Sequence, residues 1–285
     1  MPRSRVGVAI SVSAALLLTA CGGDDDGGGG DSNTAASDCT PEHEFETATD
    51  GTLTVGLVDL PPYAMTTGDQ GLSGVDADIV KEFAERECLT IDAQPTDSAA
   101  LVPSVQQGRL DLGFADLYRT EAREEVVNLS DPLYLDDMGI MSAEGITQIS
   151  ELEGQKVGTV DGYLWVEDLQ EVLGDDLVLY PSSVQLNQDL SAGRIDVGVD
   201  SYGSALQTQE DSGLEVEVAE PDPRVAASEA PAQAGIAVTP DNEALLEALN
   251  AVIADLHESG RIAEILESYG LPASAADVGE PRLIS

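Results

Sequence analysis

A chain of 285 residues with 54 acidic against 12 basic side chains carries a formal charge of −42 at pH 7, which sets it against nucleic-acid phosphates and anionic lipid surfaces. An apolar share of 42% over this length is enough to pack one or two domains, while 2 histidines and 3 cysteines offer no cluster with metal-ligand spacing. No G-x-S-x-G elbow, P-loop or dinucleotide fingerprint occurs, so neither a cofactor nor a metal is expected. Carboxylates are so common that pairs of them say nothing about catalysis. With Lys81 and Lys156 as the only lysines, the surface suits a salt-rich setting, where screening relieves self-repulsion. On that reading molar salt raises the melting temperature; a salt-independent melt would refute it.

The chain opens on Arg3 and Arg5 before an apolar run from Val6 to Leu18, too short to span a bilayer. Leu18-Thr19-Ala20-Cys21 matches the bacterial lipobox, which makes residues 1–20 a signal peptide and Cys21 the lipid-bearing residue. Gly22 to Ser37 is Gly, Asp, Ser and Ala, a solvated linker that continues as an N-terminal arm to residue 49. Asp24-Asp25-Asp26 lacks the spaced ligands of a calcium loop. Cys39 and Cys88 remain as an even pair in an oxidising compartment, a candidate disulfide pinning the arm to the first helix.

Leu53 to Val58 reads as a strand that runs into the rigid loop Asp59-Leu60-Pro61-Pro62-Tyr63, and Gly68 to Gly71 as a hairpin tip. Val75, Ile79, Val80 and Phe83 recur at helical spacing over Val75 to Arg86. A second helix, Ala99 to Gln107, stops at Gly108 and feeds a buried strand, Leu110 to Ala115. The chain then turns through Asp116 to Thr120 into a short helical turn carrying Arg123. Ligands of α/β sheets sit at such strand ends, and a guanidinium fork suits a carboxylate. The competing reading pairs Arg123 with Glu121, Glu124 or Glu125 on the surface.

The unit Gly108-Arg-Leu-Asp-Leu-Gly-Phe-Ala-Asp116 has a near copy in Gly193-Arg-Ile-Asp-Val-Gly-Val-Asp-Ser201, which points to two similar lobes. Between the copies lie a strand at Lys156 to Val160, a helix at Leu164 to Leu173 and a strand at Leu177 to Tyr180. This alternation implies mostly parallel sheets with helices on both faces. Asp137 to Ser142 and Gly235 to Thr239 are extended crossings between lobes, and helices at Asn242 to His257 and Arg261 to Tyr269 close the fold.

Asp111, Ala115, Thr120, Arg123 and Ser130-Asp131-Pro132 fall in register with D-x-x-x-A-G-x-[ST]-x-T-x-x-R and the S-x-P that follows it. Together with Pro61-Pro62-Tyr63, Gly74, Asp76, Asp78 and the segment Gly235 to Gly270, they resemble the family 3 extracellular solute-binding proteins, receptors of polar amino-acid ABC transporters. The likeness runs from about Gly51 to Leu271. It implies a two-lobed periplasmic-binding-protein fold of type II with lobe 1 over 50–138 plus 236–272, lobe 2 over 139–235 and a tail over 273–285. It also implies a monomer, tethered through Cys21, that delivers a small polar solute such as an amino acid to separate permease subunits by lobe closure.

By the same resemblance Arg123 holds the ligand carboxylate, and lobe 2 presents Gly162, at a helix start, and Tyr163. Tyr63 is either core or cleft wall, its loop position favouring the wall; Trp165 is either as well. Several positions depart from the pattern. Asp116 and Tyr118 replace small residues, and Tyr163 and Leu164 replace hydroxyls. The family's amine-holding Asp falls on Ser201, with Asp200 one residue early, so that either the turn moves Asp200 into place or no amine clamp exists. Asp116 either meets a cation or caps its own turn. The acids Asp59, Asp116, Asp161 and Asp200 near strand ends favour a zwitterionic or cationic ligand. The alternatives are a dehydratase acting on a prephenate-like acid through Arg123 and Asp116, and a sensing module for a separate signalling partner.

Overall fold

The computed structural model describes residues 39–68 and 71–284, apart from the side chains of 208–212. The lipobox cysteine Cys21, the linker after it and the tip of the first hairpin lie outside these residues.

The first part of the chain gives β1 (Thr52–Leu57), β2 (Met65–Thr67), β3 (Gly71–Ser73), α1 (Val75–Arg86), β4 (Thr90–Pro95), α2 (Ser98–Gln106) and β5 (Leu112–Tyr118). The crossing region follows with α3 (Glu121–Glu124), β6 (Asn128–Leu129), β7 (Tyr134–Asp136) and β8 (Met138–Ser142). Next come β9 (Val157–Val160), α4 (Val166–Leu173), β10 (Leu177–Tyr180), α5 (Ser183–Ser191), β11 (Val197–Ser201), α6 (Tyr202–Ser212) and β12 (Glu215–Val218). The chain returns through β13 (Ala232–Val238) and ends on α7 (Glu243–Glu258) and α8 (Arg261–Ser268).

Two sheets define two lobes. One runs β4-β1-β5-β13-β6, with β7 also on β13; the other runs β10-β9-β11-β8-β12. Each is parallel along one side, β4-β1-β5 and β10-β9-β11, because helices connect those strands. The expectation of mostly parallel sheets needs correcting: both are mixed, since the crossing strands β13 and β8 run back antiparallel. Each lobe has its own apolar core. Phe83, Phe114, Ile79 and Leu53 fill the first, and Trp165, Met138, Ile140 and Leu169 the second, all essentially inaccessible.

The duplicated unit acquires a physical meaning here. Asp111 donates its N–H to Thr54 O (2.8 Å) and accepts at Oδ2 from Thr54 N (2.8 Å), gripping β1 from the start of β5. Asp196 does the same to Lys156 ahead of β9, donating its N–H to Lys156 O (2.8 Å) and accepting from Lys156 N (2.9 Å). In each lobe one aspartate thus sets the register of the strand pair that reaches the cleft.

The N-terminal arm packs on the first lobe. Cys39 and Cys88 form a disulfide with a Cα–Cα distance of 5.7 Å, Phe45 stacks on Phe83 at 5.8 Å, and Ala48 N donates to Asp111 Oδ1. The bond closes a loop of sequence separation 49, so replacing both cysteines by serine is expected to lower unfolding stability by about 4 kcal/mol on loop entropy. Chemical denaturation of the oxidised chain against the double variant reads this, and equal midpoints would refute it.

The C-terminal residues cover the crossings. Gln233 Nε2 donates to Val278 O (2.8 Å) and Glu280 O (2.9 Å), and Arg119 Nη1 donates to Arg282 O (2.8 Å). Arg119 also donates to Ser130 O and Gln233 Oε1, so this buried guanidinium belongs to the crossing architecture. No helix among the described residues is long and apolar enough to cross a membrane.

Candidate ligand-binding cleft

The C-terminal ends of β1, β5, β9 and β11 converge on one cavity of about 20 Å³. The first lobe contributes Leu60, Asp116, Tyr118 and Arg123, and the second Tyr163, Leu164, Trp165 and Ser201. Five of the residues assigned from sequence, Asp116, Tyr118, Arg123, Tyr163 and Ser201, therefore meet around a single space.

Arg123 is placed by α3, whose first turn is capped by Thr120 Oγ1 accepting from Arg123 N (3.1 Å). Its Nη1 donates to Tyr118 O (2.6 Å), and it makes no ion pair among the described residues; Glu121, Glu124 and Glu125 leave it alone. Burial pulls its pKa down to about 10, against the pull of Asp116 and Tyr118. A charged fork held by one carbonyl at a cavity wall is suited to receive a carboxylate.

Asp116 stands in the left-handed region at φ 49, where the resembled pattern has glycine. Its N–H donates to Asp76 Oδ2 (2.6 Å), which fixes the turn, and Asp76 Oδ1 accepts from Tyr134 Oη (2.6 Å). The Asp116 carboxyl lies beside those of Asp136 and Asp76 and the hydroxyl of Ser201, yet its Oδ1 is buried without a hydrogen-bond partner. The carboxyl thus faces the cavity instead of capping its own turn.

Asp136, at the end of β7, was not visible as a site residue in the sequence. Its Oδ1 accepts from Tyr63 Oη (2.6 Å) and Gly203 N (3.3 Å), and its Oδ2 from Tyr118 Oη (2.6 Å). One carboxylate at the crossing therefore ties the β1 loop, the end of β5 and the start of α6. Nothing in its local pattern marks it, because its partners are brought together only by the sheets.

Three expectations need correction. Tyr63 is 1% exposed, stacks on Tyr134 (5.4 Å, 6°) and spends its hydroxyl on Asp136, so it is a strut under the cleft and not a wall. Gly162 does not begin a helix: α4 starts at Val166, and Gly162 (φ 83) lies against Ser98 and Ala99 of the other lobe, outside the cavity lining. Asp200 lies outside that lining too, wholly buried beside Ser183 and Tyr163, while Ser201 takes the cavity-facing place. The strand end does not slip, and among the described residues no second-lobe carboxylate lines the cavity. Asp59 and Asp161 are exposed and outside the lining as well. Trp165 serves both roles posed for it, lining the cavity while its Nε1 donates to Thr159 Oγ1 (2.7 Å) in the core.

Burial dominates the electrostatics. It raises Asp76 and Asp200 to about 7, partly offset by hydrogen bonds from Tyr134 and the Asp116 amide on the first and Ser183 on the second. Burial, then the charges of Asp136 and Asp76, push Asp116 well above the usual carboxylate range, so the Asp116–Asp136 pair holds a proton between its members. Away from the cleft, the fold brings Glu42, His43 and Glu87 within 4.8 Å of one another on the arm, a cation-compatible group that sequence spacing did not show. There His43 Nδ1 and Glu87 Oε1 satisfy each other at 2.6 Å.

The model of the bacterial extracellular solute-binding proteins, family 3, matches residues 53–272. The chain belongs to this family. It is 26% identical over 227 residues to the L-cystine-binding protein TcyJ of Escherichia coli K12, covering 77% of this chain and 82% of that protein. A structure of an ancestral arginine-binding protein bound to arginine superposes with a TM-score of 0.67 at 26% identity, over 77% of this chain and 98% of the other. EhuB in complex with hydroxyectoine does so with a TM-score of 0.69 at 25% identity, over 80% and 92%. These relatives are binding proteins, and family 3 membership makes this chain an extracellular solute-binding protein, not an enzyme.

Proposed function

We propose that the protein is the lipid-tethered receptor of an ABC importer, taking up a small polar solute with a carboxylate, an amino acid or a close relative of one. The observation that carries this reading is Arg123, a half-buried guanidinium that among the described residues bonds one backbone carbonyl and no carboxylate, on a wall between two lobes. A ligand carboxylate supplies the missing bidentate partner, and lobe 2 adds Tyr163, Leu164, Trp165 and Ser201 on closing. Contacts that exist only with both lobes engaged favour the closed form by their own free energy, and a permease would read that form. Tethering through Cys21 would keep the receptor at the membrane's outer face beside its permease.

Calorimetric titration with arginine, cystine, histidine and hydroxyectoine, with small-angle scattering in parallel, tests the reading. It expects saturable one-site binding of at least one carboxylate solute and a smaller radius of gyration on saturation. No binding by any carboxylate solute would overturn it. Closure also makes a demand on Gly203, where a Cβ would collide with the Tyr63 hydroxyl of the opposite lobe. Gly203→Ala should hold the lobes apart, weakening ligand binding about tenfold or more while each lobe keeps its fold; unchanged affinity would count against closure at this contact.

A further inference from the structure

The polar tips of the cavity's aromatic residues are already engaged elsewhere. Tyr118 Oη donates to Asp136 (2.6 Å), Tyr163 Oη pairs with Ser183 Oγ (3.2 Å), and Trp165 Nε1 donates to Thr159 (2.7 Å). What these three side chains offer a ligand is ring carbon. The rings also meet steeply: Trp165 lies at 63° to Tyr118 (6.0 Å) and at 89° to Tyr163 (5.2 Å), so they wall the space from different directions. Beside them Asp116, 8% exposed, has a buried Oδ1 with no partner. Ser201 Oγ already accepts from Ser204 N (3.3 Å).

A primary ammonium brings three N–H donors and needs about as many acceptors. Here one carboxylate oxygen has no partner among the described residues, and beside Arg123 the remaining walls are three aromatic rings, Leu60, Leu164 and Ser201. A nitrogen whose hydrogens are replaced by alkyl groups has the opposite needs: it asks for no acceptor, and gains from a nearby negative charge and from ring faces. Arg123 lines the same small cavity as Asp116, whose proton-sharing pair with Asp136 keeps one negative charge, so the two poles of a short zwitterion would meet complementary groups. Because the walls come from both lobes, the enclosed volume follows their separation.

We infer that the cleft selects a short zwitterion whose cation is an alkylated nitrogen, held against Asp116 and the rings of Tyr118, Tyr163 and Trp165 while Arg123 takes its carboxylate. This rests on the receptor reading above. Titration of the purified full chain with glycine, N,N,N-trimethylglycine and 3,3-dimethylbutanoate, the isostere of the second that keeps the carboxylate but lacks the cationic charge, decides it. Trimethylglycine should bind about tenfold or more tighter than either of the others. Tyr163→Phe should keep this preference, whereas Tyr163→Leu and Asp116→Asn should each collapse it. A glycine affinity equal to or above that of trimethylglycine, or a preference that survives Asp116→Asn, would overturn the inference and leave the receptor standing. Binding of no carboxylate solute, including the amino acids, would overturn both.

Discussion

Arg123→Ala should weaken binding of any carboxylate ligand by two orders of magnitude or more, about 3 kcal/mol, with the melting temperature unchanged or raised. The two halves of this expectation have one cause. The guanidinium is half-buried, desolvation draws its pKa down to about 10, and among the described residues its one hydrogen bond is to Tyr118 O. A charge partly desolvated and in no ion pair is a burden on the fold that the nearby Asp116 offsets only in part, so its removal lifts a penalty and leaves one carbonyl to rehydrate. Arg123→Lys keeps the charge but loses the planar fork, and should recover part of the affinity only. Calorimetry gives the affinity and calorimetric melting the stability. A loss of both together would make Arg123 a structural residue, and unchanged affinity would remove the carboxylate assignment.

What the sequence disclosed is what local rules govern. Val75, Ile79, Val80 and Phe83 point to one face of α1, and all four are wholly buried. Gly108 and Gly193 stop their helices in the left-handed region, at φ 64 and 65. The strand pattern of β5 put Arg123 just beyond a strand end. Less legible were α5 and α6, whose Ser and Gln content blurs the helical stripe, and β4, where only Ile91 and Ala93 are buried at the edge of a sheet.

The site itself divided along the same line. Residues whose position follows from a strand end, Asp116, Tyr118 and Ser201, were found. Those whose role depends on a partner in another segment were not: Asp136 collects donors from Tyr63, Tyr118 and Gly203. Tyr63 was misjudged for the same reason, because its loop says it is near the cleft and only Asp136 says which way its hydroxyl goes. Side-chain parity at Asp200 and Ser201 could be posed from sequence but not solved, since it depends on where β11 gives way to α6.

The acids buried around the cleft make stability fall as pH rises. Asp76 and Asp200 stand at about 7 in the folded chain against an ordinary 3.8, with desolvation as the main cause. Between those values the folded state keeps protons that the unfolded state has released, and stability drops by up to about 1.4 kcal/mol per pH unit for each group. The groups facing Asp76 are the Tyr134 hydroxyl, the Asp116 amide and the Asp136 charge; those facing Asp200 are Ser183, Tyr163, the Ser201 amide and again Asp136. None is a cation, so ionisation meets no compensating charge. Urea unfolding should therefore give a stability several kcal/mol higher at pH 5 than at pH 8. Surface acids push in the same direction through mutual repulsion, but molar salt screens them and leaves the buried share untouched. Asp200→Asn, which keeps an acceptor for the Ser201 amide, should flatten the curve in molar salt, and Asp76→Asn should flatten it further. A wild-type stability independent of pH between 5 and 8 in molar salt would show that these carboxyls are ionised within the fold, and the proton held beside Asp116 would have to be given up with them.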